Sequence, residues 1–398
     1  MESIPETSEQ KKAVKDIQLT KFTQLTKLAK LARKWAKRTK IFYRLFLYKI
    51  GLDQRPVFGV LTVNAQCDFR CRYCFADYYQ RHDQPLPLGR MKQTIDELAD
   101  YGVIYLNVHG GEALIRNDIG DILNYALRKG MFVNLITNGT LLKKKWDEVK
   151  NVDTLCISLD GREEHNDQNR GKGAFKIATE AIDFALSQGM PVRIGMTITH
   201  HTQHDLEWLA EWAKTRNIYI QPFLLFDQDN LPQELWMTPE ENREALRTLI
   251  HLKKKGYPIF YSFKTLEYAL RWPYDRPILR ARDFKNIAMR QDFEFIPCYY
   301  KVLNVLCENN GTVRTCNIMS RGGIHISFLD GKTVREAKEE LLTVDDCLYC
   351  YHLPQMEFSN LMNLQLRPVL EQLGNQTKED IKTLFTKNGY KRETIHKP

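Results

Sequence analysis

Six short apolar runs, interleaved with amphipathic ones, constrain this chain more than any other feature. The runs at 57–63, 103–108, 132–137, 154–159, 192–199 and 218–226 are rich in Val, Ile and Leu and are bounded by polar turns, as strands buried on both faces are. At 91–101, 119–129, 175–188, 206–215 and 239–255 the apolar residues recur at helical spacing. Such alternation predicts an α/β fold with a parallel sheet and right-handed crossovers. In α/β barrels the chemistry sits at the C-terminal ends of the strands. At 398 residues and 43% apolar content the chain can bury a large core, as one main domain with smaller pieces attached.

The loop after the first run carries Cys67, Cys71 and Cys74 in a C-x3-C-x2-C spacing. Three thiolates on one short loop can hold three irons of a [4Fe–4S] cluster and leave the fourth open. A zinc site wants four ligands, often from paired C-x2-C units, and no fourth Cys or His lies near in sequence. Unpaired core cysteines are the other alternative. The next run ends in His109-Gly110-Gly111-Glu112. The glycines allow close backbone approach to a ligand, and Glu112 can accept from a ligand ammonium. An ordinary strand-to-helix turn reads the same way. Thr137-Asn138-Gly139 closes the third run. Ser158 and Asp160, two residues apart, share one strand face. They both reach a barrel lumen if that face points inward, and otherwise they cap a helix.

A second cysteine set follows. Cys298 precedes a strand-like run at 301–307, a turn at Asn309-Asn310-Gly311 and a return strand to Cys316. Asn-Gly between apolar runs signals a hairpin. Cys347 and Cys350 form a downstream C-x2-C. Four thiolates imply a fully ligated centre, with zinc as the alternative to iron–sulfur. Cys156 and Cys307 sit mid-strand and read as small buried hydrophobes. Cysteines at metal-like spacings suggest a reducing cytoplasm. No cleavable leader and no bilayer-length apolar run is read.

Charge is concentrated at one end. Residues 11–49 hold thirteen Lys and Arg against the single acid Asp16, a local charge of +12, so the rest of the chain carries −3 of the overall +9. Leu25, Leu28, Leu31, Trp35, Phe42 and Leu45 recur there at helical spacing. Such a basic amphipathic helix can lie peripherally on the inner, anionic face of a membrane. Equally, it can pack its apolar stripe on the protein's own core. A nucleic-acid arm is disfavoured, because no further basic patch or stacking platform supports it.

As a set, the motifs resemble the radical S-adenosylmethionine (SAM) superfamily. Tyr73 stands just before the third cysteine as that family has it. Gly110-Gly111-Glu112 resembles the motif that receives the SAM amino group, although Ala113 replaces its usual proline. Ser158-Leu159-Asp160-Gly161, His165-Asn166 and Arg170-Gly171 resemble a run found in the anaerobic sulfatase-maturating enzymes, with Asn166 in place of the usual Asp. The resemblance implies SAM contacts from Ser158 and Arg170, and it makes Tyr73, Gly110, Gly111, Glu112, Asn138 and Asp160 further candidate cofactor contacts. It also implies a partial, TIM-like (β/α)6 barrel. Cys298, Cys316, Cys347 and Cys350 resemble the ligands of a twitch domain, a β-hairpin plus helix related to the SPASM extension, which carries an auxiliary [4Fe–4S] cluster. The expected organisation is a basic helical arm at 1–55, the core at 56–256, a connector at 257–290, the auxiliary-cluster domain at 291–355 and a tail at 356–398.

The resemblance implies reductive cleavage of SAM to a 5′-deoxyadenosyl radical, fed by a flavodoxin- or ferredoxin-type donor. That radical would abstract hydrogen from, or add to, an organic substrate; a closed auxiliary cluster favours a net oxidation, hence an oxidoreductase, with a transferase as the alternative. Three substrate classes follow. The basic arm motivates a lipid or membrane-associated molecule. A peptide-modifying maturase is the second, though residues 1–55 lack the strands of a winged-helix recognition domain. A sugar or polyol is the third. A non-catalytic iron–sulfur electron carrier is the reading outside enzymes, and it needs none of the SAM motifs.

Overall fold

Apolar, β-branched segments separated by one helix each pair in parallel, and here they do so in chain order. The computed structural model describes residues 8–74, 76, 84–225, 231–316 and 324–362, with side chains at 28, 29 and from 31 onward. Phe226 and the expected tail beyond residue 362 lie outside the described residues. Strands β1 (Phe58–Thr62), β2 (Tyr105–His109), β3 (Phe132–Thr137), β4 (Thr154–Ser158), β5 (Val192–Ile198) and β6 (Tyr219–Leu224) lie side by side, all parallel. Helix α1 (Ser8–Lys49) precedes them. Helices α2 (Leu88–Tyr101), α3 (Ile119–Arg128), α4 (Trp146–Val149), α5 (Glu163–Arg170), α6 (Ala174–Ser187) and α7 (Leu206–Arg216) fill the crossovers, and α8 (Pro239–Lys254) and α9 (Phe263–Leu270) follow β6. Helix α8 starts where the sequence says it should. Thr238 and Glu241 form a capping box with Pro239 in the first turn.

Side-chain alternation splits each strand. Leu61, Leu106, Val108, Leu135, Leu155, Ile157, Ile194 and Met196 are buried in the core. Val60, Asn107, Asn134, Cys156, Arg193 and Gln221, on the other face, line an internal cavity. The strand residues that face the lumen thus include several polar ones among apolar neighbours, while the outer wall is aliphatic, as a period of two requires.

The sheet does not stop at β1. After β7 (Ile278–Arg280) and the single turn α10 (Tyr300–Leu303), strand β8 (Asn304–Cys307) pairs in parallel with β1, from Phe58↔Asn304 to Leu61↔Cys307. Strands β9 (Thr312–Arg314) and β10 (Ile326–Ser327) continue antiparallel, giving the order β10-β9-β8-β1-β2-β3-β4-β5-β6. The expected hairpin is thus hydrogen-bonded onto the core sheet. It turns at Gly311, whose φ of +81° suits glycine. Helix α11 (Val334–Val344) and strand β11 (Cys347–Cys350) follow, and β11 pairs with β7.

Helix α12 (Leu353–Met362) stands between the β6 side and the β8 side. Its Glu357 accepts from Ser262 N and Oγ at 2.9 Å, and Asn360 donates to Thr265 Oγ1 at 2.9 Å, both at the start of α9. Its Phe358 meets Phe58 edge-on at 4.1 Å and Tyr300 at 5.4 Å. The helix walls the open flank of the barrel.

Of the two placements expected for the arm, residues 34–45 take the one on the protein's own core, though not by the apolar stripe alone. Residues 34–45 of α1 cross the N-terminal ends of the strands with cations turned inward. Lys34 Nζ donates to the Asp153 carbonyl, and Lys37 Nζ pairs with the Asp153 carboxylate at 2.8 Å. Arg44 pairs with Asp53 at 2.9 Å, and Arg38 lies over the Phe132 ring at 5.8 Å. Ile41 and Leu45 are buried beside them. Of the expected apolar stripe, Leu45 is buried and Leu28 is 51% exposed. Tyr43 and Phe46, at 60% and 51%, also face out. Helical periodicity located the faces but not which one packs.

Candidate active site and auxiliary cysteine site

A cavity of about 500 Å³ runs through the barrel, within the range that holds small ligands. Cys67, Cys71, Cys74, Gly110, Gly111, Asn138, Ser158 and Arg170 line it at the C-terminal strand ends. Phe58, Tyr105 and Phe132, the first residues of their strands or nearly so, line the opposite end with Ile41 and Leu45 of α1.

Three anchors fix the cysteine loop. First, Glu112 N donates to Gln66 O at 2.7 Å, and Gly111 N donates to Asn64 O at 3.2 Å. A Cβ on Gly111 would stand 2.2 Å from Gln66 O, and one on Gly110 would stand 2.5 Å from Asn64 Oδ1. The close approach read from these glycines is therefore an approach to the cysteine loop. Second, Asn138 Nδ2 donates to Asp68, between the first two cysteines, at 2.7 Å. Third, the Tyr73 hydroxyl donates to Asp160 Oδ2 at 2.5 Å. Asp160 has no exposed surface. It binds Arg170 twice, from Nε at 2.7 Å and from Nη2 at 2.8 Å, and also accepts from Thr197 N at 2.9 Å.

Two carboxylates thus sit apart from where the sequence reading put them. Asp160 shares a face with Ser158 by count, but the strand ends at Ser158 and Asp160 turns away from the lumen into the Arg170 pair. Glu112 is also buried, and it accepts from Leu114 N, Thr137 Oγ1 and Asn138 N at 2.9, 2.8 and 2.7 Å. Its carboxylate ties two loops together, its own and the one that follows β3, and does not line the cavity. Burial pushes its carboxyl up to about 7, against the pull of those donors.

Burial also pushes the Cys67 thiol up to about 12 and the Cys71 thiol up to about 11. Among the described residues no three His, Cys, Asp or Glu side chains are already arranged to grip a metal ion. The donor set still suits one: three thiols on one loop, bordering a cavity, seated on glycines that admit no side chain. Metal binding would expel their protons.

The second cysteine set comes together around β11. Residues three apart on a regular strand face opposite ways, but the β7–β11 register shifts between Cys347 and Tyr349, and such a bulge re-aims the side chains that follow. Cys298 N donates to Leu348 O at 3.2 Å, and a hydrogen bond with Cys350 and the N–H groups of Lys301 and Tyr300 hold the Cys298 thiol down to about 7. Gln355 Nε2 donates to Cys316 Sγ at 3.4 Å, and Gln355 itself lines the barrel cavity. Cys307 is fully buried in β8, as read. Cys156 is 5% exposed yet borders the lumen. The reading missed the lumen polar residues Arg193, Gln221 and Asn304 and the wall residues of α12; only strand alternation hinted at the first three.

Residues 61–213 match the family model of the Radical SAM superfamily, and this span holds the three-cysteine loop and every strand-end motif. Over that span the chain is similar to the radical SAM superfamily. It is 29% identical over 225 residues to Fe-coproporphyrin III synthase of Methanosarcina barkeri, 53% of this chain and 56% of that one. It is 30% identical over 172 residues to mycofactocin maturase MftC of Mycolicibacterium smegmatis, 42% of this chain and 43% of that one. The chain spans about half the length of the curated relatives it matches. Among solved structures, anSMEcpe with bound AdoMet superimposes at a TM-score of 0.56 with 14% identity, over 73% of this chain and 81% of that one. Streptococcus suis SuiB bound to precursor peptide SuiA gives 0.53 with 16% identity, over 70% and 63%. These likenesses show that the α/β radical SAM fold is shared.

Proposed function

We propose that this protein cleaves SAM at the Cys67–Cys71–Cys74 loop and uses the resulting radical to oxidise an organic substrate held in the barrel. The carrying observation is that the three thiols and the strand-end motifs border one cavity. Cys67, Cys71 and Cys74 would hold a [4Fe–4S] cluster, which when bound would supply the electron for reductive cleavage of a carbon–sulfur bond of SAM. The chain's own residues supply the rest. Tyr73, Asp68 and the glycines hold the loop, while Ser158 and Arg170 stand beside it to orient SAM. The barrel walls exclude water. Cys298, Cys316, Cys347 and Cys350 would hold an auxiliary [4Fe–4S] cluster that takes an electron from the substrate radical, and a flavodoxin- or ferredoxin-type donor would feed the first cluster.

The lumen narrows the substrate. Both amide atoms of Asn304 and Oδ1 of Asn134 are buried without partners, and both residues line the cavity. An alkyl tail would leave each unpaired at a cost of about 1–3 kcal/mol. A substrate that brings amide groups for these atoms and apolar surface for the Phe58, Tyr105, Phe132 and Phe358 rings of the lining fits both, as a peptide does. Wild-type protein, reconstituted anaerobically and given SAM with a strong reductant, is expected to form methionine and 5′-deoxyadenosine in equal amounts. A reconstituted protein that leaves SAM intact overturns the reading.

One observation keeps membrane contact as a second reading. No helix among the described residues is long and apolar enough to cross a membrane. The outward face of α1, however, presents Leu28, Tyr43 and Phe46, with exposed Arg33 and Lys40 between them in sequence. Such a face suits an anionic bilayer surface. Wild type should then co-sediment with anionic vesicles at low salt and release as salt shortens the Debye length below about 10 Å. A protein that ignores such vesicles removes this reading.

A further inference from the structure

Lys338 of α11 has no exposed surface. Among the described residues its Nζ donates one hydrogen bond, to the neutral carbonyl of Lys301 at 2.5 Å. Around it stand Asp345 and three cysteines, Cys316, Cys298 and Cys307. Asp345 Oδ1 is already taken by Cys347 N at 2.8 Å. Lys301 itself reaches the same site, its Nζ donating to Cys347 O at 2.6 Å. The two lysines thus border the second cysteine set from one side.

An ammonium taken out of water costs several kcal/mol unless opposite charge compensates it. Asp345 offers one carboxylate, its Oδ2 buried without a hydrogen-bond partner, and the thiols while protonated add no charge to it. Four thiolates on an iron–sulfur centre leave a net negative charge, and that charge deepens by one when the centre takes an electron. A cation fixed beside it therefore stabilises the reduced form over the oxidised one. Net charge around a cluster is one of the factors that set its potential. We infer that Lys338 is the built-in counter-charge of the auxiliary centre, raising its reduction potential so that it accepts an electron more readily. The inference rests on reading Cys298, Cys316, Cys347 and Cys350 as iron–sulfur ligands.

The test uses full-length protein with Cys67, Cys71 and Cys74 replaced by Ala, so that only the auxiliary centre reports. Redox titration followed by electron paramagnetic resonance compares this parent with Lys338→Met and Lys338→Arg. The Met variant should titrate at lower potential, with at least a tenfold shift in the oxidised-to-reduced ratio, about 59 mV for a one-electron couple. The Arg variant should stay near the parent. If Lys338→Met loses its iron while Lys338→Arg keeps it, the charge is needed to hold the centre, which also supports the inference. An unchanged midpoint in Lys338→Met, or equal changes in both variants, overturns it. Stoichiometric zinc in the parent instead removes the iron–sulfur reading on which it rests.

Discussion

Deleting residues 1–40 is expected to leave little soluble, folded protein. The deletion removes Lys34, Lys37 and Arg38, which are buried at the N-terminal ends of the strands. Asp153, 5% exposed, keeps the amide of Val133 at 2.9 Å but loses Lys37. Removing one partner of a buried ion pair costs about 3–5 kcal/mol, against a total stability of about 5–15 kcal/mol. The end of the cavity at Phe132 loses its cover as well. Soluble yield and thermal midpoint are the readouts, with Lys37→Met as the milder variant that keeps most of the stem. An arm that only visits membranes would come off without changing either.

Arg170→Met should come next in size. It strips both guanidinium bonds from Asp160 and leaves that carboxylate, with no exposed surface, to Tyr73 and Thr197 N. The expected loss is again about 3–5 kcal/mol. Because Tyr73 lies between Cys71 and Cys74 and hangs on the same carboxylate, iron retained at the three-cysteine loop should fall too. Tyr73→Phe removes one hydrogen bond and should cost only about 1 kcal/mol. An Arg170→Met variant with the wild-type midpoint and iron content would mean that the Tyr73–Asp160–Arg170 network does not hold the loop.

Much of this was legible because it is local. Each of the six core strands falls on its apolar run, and the strand-end loops carry the motifs, since a period of two and a Gly-Gly or Asn-Gly turn are written over a few residues. What was not legible depends on partners far away in sequence. Lys37 faces inward because Asp153, 116 positions on, pairs with it; the charge count and the apolar period left open which face of the arm packs. Glu112 and Asp160 were recognisable as site carboxylates. Their saturation by Leu114, Thr137 and Asn138, and by Arg170, Tyr73 and Thr197, could not be read from spacing. The parallel seat of β8 on β1 and the walling role of α12 are tertiary choices of the same kind.

The central claim is that Cys67, Cys71 and Cys74 make the SAM-cleaving site. It is tested most directly by assaying 5′-deoxyadenosine from anaerobically reconstituted wild type and the triple alanine variant side by side, with iron counted in both. Wild type should hold about eight irons and cleave SAM, and the variant should keep about four and cleave none. Undiminished cleavage by the variant would contradict the account.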